Sequence, residues 1–240
     1  MRNYYTLLLD TTSADEEILR MFFLHPLSRD EKKMFSPEEQ LKAVDRLFAI
    51  LKSTSTEQIL DVIEKYKNEI QEITTGSLPQ FSELEDADRV PDIVLSNPNC
   101  KYKLIGYFFN KDAADYSNQK YGENHYKLAA QIGLCEYADK TDPEGITAVT
   151  YLGIVYKDLP KSERDILRPK LCLQVPFIQH ILVEARYKEV NAMGELQSLL
   201  TPSTSVRRRS SIQQMMHAIE ATLTKEKQIV GNIKWGYKNR

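Results

Sequence analysis

The chain has 240 residues, 42% of them apolar and 28% charged, which suits one or two folded domains and excludes an intrinsically disordered chain. The net charge of −2 conceals an asymmetry: residues 1–90 hold 11 Lys/Arg against 18 Asp/Glu, residues 91–240 hold 21 against 16, and the final forty hold 8 against 2. A basic working surface is therefore expected at the C-terminal end, and the acidic N-terminal part is not expected to face phosphates.

The first 75 residues read as three amphipathic helices. Ser13 and the acids Asp15 to Glu17 form a capping pattern ahead of Ile18, Leu19, Met21, Phe22 and Phe23, with Pro26 after the run. Ser36 caps a second helix with Pro37 in its first position, and Leu41, Val44, Leu47, Phe48 and Leu51 follow at helical spacing. A third opens at Ser55 or Thr56 and carries Ile59, Val62, Ile63, Tyr66, Ile70 and Ile73 on one stripe, ending at Gly76 and Pro79. An acidic helical bundle over residues 1–76 is the expectation. It would dock a nuclease, a methyltransferase or a second copy of the chain.

Residues 77–97 form a Pro- and acid-rich connection with one short helix over 86–95. A short apolar helix over 101–109, a break at Asn110 and a long polar and aromatic helix over 111–132 follow, with Gly133 as its stop. Residues 134–137 and 146–149 are strand candidates joined by a turn-rich loop over 139–145. Helix, turn, helix and hairpin is the order of a winged helix, expected over residues 77–158. Asn118, Lys120, Asn124 and Lys127 suit the groove side of its second helix, since Asn pairs with adenine edges and Lys with phosphates.

Residues 162–184 supply helices, with Pro169 as a start and Pro176 as an interruption. An amphipathic helix over 190–200, a turn at Thr201 and Pro202, a long helix over 203–223 and a final hairpin over 228–237 make a second helix-turn-helix unit over 159–240. Arg207, Arg208 and Arg209 lie in the early turns of its long helix, where they would form an anion site. Ser203, Ser205, Ser210 and Gln213 would assist them. The competing reading of this segment is a solvated basic face or a modification and docking sequence.

The tyrosine-rich string over 116–136, Ile132-Gly133-Leu134, Ile146-Thr147 with Gly153, Pro176-Phe177 and Thr204 followed by Arg207-Arg208 together resemble the tandem winged-helix modules of bacterial restriction-modification proteins, including the recognition parts of type IIS restriction endonucleases. The resemblance spans residues 80–225. It departs from the family sense at Ala148, Val149 and Thr150, which leaves the first wing's length open. It implies a mainly α fold, an N-terminal helical bundle followed by tandem winged-helix domains with short β-hairpins. It also implies binding of double-stranded DNA as the target-recognition part of a restriction-modification or defence system.

Catalytic chemistry is not legible. Pro91-Asp92 opens a nuclease-like pattern, but no acid-x-Lys pair follows on a central strand, and Glu184 with Arg186 is a lone near miss. His25, His125, His180 and His217 lack metal-ligand spacing, and no phosphate-cradling glycine loop exists. Catalytic residues, metal and cofactor are therefore all expected to be absent, with a cryptic magnesium site or a protein-interaction adaptor as the alternatives. Cys100, Cys135 and Cys172 form no disulfide framework, which fits a reducing cytoplasm. No apolar run reaches the ~20 residues of a membrane span, so no membrane contact is expected.

Overall fold

The computed structural model describes residues 3–137 and 147–236. It is mainly helical, with fourteen α-helices and one two-stranded sheet among the described residues. No helix among them is long and apolar enough to cross a membrane. The chain divides into two compact units, one made of Met1–Leu78 with Asp165–Arg240, the other of Pro79–Arg164.

In the first unit, α1 (Tyr4–Leu9), α2 (Asp15–Leu24), α3 (Arg29–Lys32), α4 (Pro37–Ser53) and α5 (Thr56–Lys65) come from the N-terminal stretch. The start of α4 follows from its sequence: the Ser36 side chain accepts from Glu39 N–H, the Glu39 carboxylate accepts from Ser36 N–H, and Pro37 needs no donor there. α5 ends earlier than its apolar stripe predicts. Past Lys65 the chain turns, with Tyr66 under the Arg20 guanidinium at 4.5 Å and Glu69 taking Arg20 and His25, so Ile70 and Ile73 are not on the helix.

In the second unit, α6 (Val90–Ser96) follows a 3₁₀ turn over Leu84–Arg89, and α7 (Tyr102–Phe109), α8 (Asp115–Gln131) and α9 (Tyr151–Lys157) complete it. Gly106 of α7 meets the Asn118 carbonyl of α8, and Gly122 of α8 meets the Tyr102 carbonyl of α7; a Cβ at either glycine would lie inside contact distance. Tyr102 to Gly106 is one turn up the first helix, and Gly122 to Asn118 is one turn down the second. The two backbones therefore run antiparallel at close approach, as an αα-hairpin. A helix-turn-helix crosses at a wide angle and touches at one point, so the predicted recognition geometry at α7 and α8 is corrected. The predicted first wing is reduced, among the described residues, to an antiparallel bridge between Cys135 and Val149, with Glu136 N–H donating to the Ala148 carbonyl at 2.9 Å. Its turn-rich loop lies outside the described residues. Gly153 belongs to α9, packed against the Leu134 carbonyl, rather than to the end of a wing strand.

The first unit is closed by α10 (Lys161–Cys172) from Asp165 onward, α11 (Pro176–Ala185), α12 (Ala192–Leu199), α13 (Pro202–Glu220) and α14 (Gln228–Gly231), with β1 (Val190–Asn191) and β2 (Ile233–Lys234). Pro169 sits inside α10 rather than opening it, while Pro176 opens α11. The expected terminal hairpin is absent among the described residues: β2 pairs parallel with β1, Val190 against Ile233. Two strands forty-three residues apart that run the same way cannot be a wing, which needs an antiparallel ribbon. Tyr237 lies outside the described residues.

The first and last stretches are one unit because buried polar contacts join them. Lys170, 5% exposed, donates to the Leu51 and Thr54 carbonyls at 2.6 and 2.7 Å, closing the end of α4. Gln179 donates to the Phe23 carbonyl at 2.9 Å. Arg186 pairs with Asp61, Glu64 and Glu226. The Glu57 carboxylate receives Thr224 N–H and, at 3.0 Å, both the Thr224 hydroxyl and Lys225 N–H. The predicted division into residues 1–76, 77–158 and 159–240 thus gives way to two units with cuts after residues 78 and 164.

Candidate nucleic-acid interface

This partition redistributes the charge. The first unit holds 22 Lys/Arg against 20 Asp/Glu and the second 10 against 14. The unit carrying Asn118, Lys120, Asn124 and Lys127 is therefore acidic. Its geometry agrees with its charge. Asn118 is 3% exposed, faces the α7 backbone and donates its amide to the Ala113 carbonyl at 3.0 Å, so it is not available to a base edge. Lys120 and Lys127 are exposed but share the Glu123 carboxylate, at 2.8 and 2.6 Å. Burial opposes ionisation of Glu123, and the two lysines outweigh it, holding the carboxyl below its ordinary range. Asn124 is half-buried.

α12 and α13 pack against each other and are joined through Leu200 and Thr201 alone. α13 exists because Pro202 fits its first position and Ser205, Ile212, Met215, Met216 and Ile219 make a stripe that is buried to 1% exposure or less. The arginines occupy the second turn, not the first. Successive helical residues differ by about 100°, so three in a row fan over about 200° and cannot share one face. Arg208 falls on the buried side, three residues after Ser205 and four before Ile212, and donates Nη1–H to the Leu78 carbonyl at 2.8 Å. Arg209 flanks the stripe, half-buried, and donates Nε–H to the Gln213 side-chain oxygen at 3.3 Å. Arg207 is exposed. Among the described residues neither Arg207 nor Arg209 makes an ion pair.

The assisting residues separate in the same way. Ser205 is 0% exposed, and its hydroxyl donates to the Thr201 and Pro202 carbonyls within its own helix, so it is a backbone strut rather than a contact. Ser203 and Ser210 are exposed, and Gln213 is half-buried beside Arg209. The outward face of α13 is Ser203, Arg207 and Ser210, with half-buried Gln214 at its edge and His217, 72% exposed at its side chain, one turn further on. His217 was legible only as a member of this face: its spacing of ten residues from Arg207 is the helical signal.

The nuclease-like Asp92 lies on α6, not on a strand, with Lys157 Nζ at 3.7 Å. Arg186 of the near miss is committed to its three carboxylates. Both nitrogens of buried His125 are engaged, with the Tyr121 carbonyl at 2.8 Å and Asp86 at 3.0 Å. Among the described residues no group of three or more His, Cys, Asp or Glu is placed to hold a metal ion. Comparison with family models, with curated proteins and with solved structures finds no match to this chain.

Proposed function

We propose that the chain binds duplex DNA through the outward face of α13, as the target-recognition part of a restriction-modification or defence assembly. One observation carries the reading: exposed Ser203, Arg207 and Ser210 share one face of a helix with no carboxylate from Pro202 to Ile219. Such a face offers a donor and acceptor set to base edges and phosphates, without like-charge repulsion from its own helix. The preceding helix α12 and its short connection to α13 support it. The contact is α13 alone; α8 has no share in it.

The experiment is a mobility-shift titration of the whole chain with random-sequence duplex at low and moderate salt. Binding that weakens as salt rises, and that Arg207→Glu abolishes while the variant unfolds at the wild-type temperature, is the expected result. An absence of any shift at low salt refutes it.

A protein-contact role is favoured for the second unit by α7, whose Leu104, Tyr107 and Phe108 are 37%, 46% and 40% exposed and, at i, i+3 and i+4, share one face. That face suits the partner subunit that target recognition requires. Pull-down of a co-expressed nuclease or methyltransferase by wild type, and its loss with Tyr107→Glu, tests this role.

A further inference from the structure

The outward face of α13 is unlike a phosphate clamp. A clamp spreads several cations along a surface, whereas here Arg208 lies on the buried side, Arg209 is half-buried and bonded to Gln213, and Arg207 is the exposed guanidinium. Its neighbours on the face are short or neutral: Ser203 and Ser210 at four and three residues' distance, Gln214 at seven, and Val206, 44% exposed, beside it. Short neighbours let the helix axis approach the floor of a major groove about 12 Å wide, and the long Arg207 side chain then reaches base edges beyond the phosphate rim. Within the second turn it also lies in the early part of the helix, which in a helix-turn-helix carries the base contacts. Resting on the DNA-binding reading above, we propose that Arg207 is the specificity-determining residue of this site and reads the O6 and N7 edge of a guanine. The planar fork of a guanidinium matches those two acceptors, and a lysine ammonium, a point charge, does not reproduce the match.

The test is selection from a randomised duplex pool with the full chain as wild type, Arg207→Lys and Arg209→Lys. Wild type enriches a motif with a fixed guanine. Arg207→Lys keeps its charge and binds unselected duplex within about threefold of wild type, yet loses about tenfold of its preference for guanine at one position. Arg209→Lys enriches the wild-type motif. Retention of the full guanine preference by Arg207→Lys overturns the assignment. Duplex binding by wild type with no enriched guanine overturns it too and leaves DNA binding standing. A wild-type chain that binds no duplex removes both.

Discussion

Replacing Glu57 with glutamine should cost stability in a way that fades with acid. Glu57 is 8% exposed, and its Oε1 receives Thr224 N–H, the Thr224 hydroxyl and Lys225 N–H. Burial disfavours the carboxylate, and the donors from Lys225 and Thr224 more than offset it, lowering its pKa from 4.5 to about 2. At about 1.4 kcal/mol per pKa unit the ionised form contributes roughly 3 kcal/mol to folding. Because the folded value is depressed, that contribution is fully present above the unfolded pKa of 4.5 and declines as pH falls toward 2. Glutamine keeps an acceptor oxygen for the same three donors, and its amide replaces Oε2, to which no described group donates. It therefore stands in for the protonated acid and loses the ionised form's contribution, about 3 kcal/mol at pH 7. Urea denaturation of wild type and Glu57→Gln at pH 7, 4 and 3 measures it. The difference should shrink across the series, because the unfolded chain's Glu57 protonates near 4.5 while the folded carboxylate stays ionised until pH approaches 2, so folding must then release a proton. A difference that stays constant from pH 7 to pH 3 would refute the reasoning.

Arg208→Ala should lower stability by about 1.5–3 kcal/mol, since it removes a charged donor from the Leu78 carbonyl, whereas Arg207→Ala should stay within about 0.5 kcal/mol of wild type in the same thermal melts. Equal effects of the two would mean that the helix is rotated from the orientation described. Gly122→Ala should cost about 3 kcal/mol or more, because the added methyl meets the Tyr102 backbone rather than a movable side chain. A circular-dichroism melt unchanged by that substitution would place α7 and α8 further apart.

Much of the local structure was written in the sequence. Ser36 with Pro37 and Glu39 set the start of α4, Asn110 and Gly133 marked the break before α8 and the stop after it, and Pro176 opened α11. These signals act over three or four residues, so they need nothing from elsewhere. The wing at residue 134 and the terminal hairpin were not settled that way, since short strands take their pairing from whichever edge the fold presents. Ile233 found Val190 forty-three residues upstream.

Of the site, composition identified a basic helix with no acid before its final residue Glu220, but not which of its arginines faces out. Arg207, Arg208 and Arg209 are indistinguishable by type; their roles depend on the phase of the stripe from Ser205 through Ile212 to Ile219. That phase is fixed by the core against which α13 packs. Tertiary structure also decided that the acidic beginning and basic end of the chain are one body, through Glu57, Lys170, Gln179 and Arg186. Residues more than a hundred positions apart leave no periodic trace in sequence, and a buried polar side chain shows its partner only once the fold has excluded water from both.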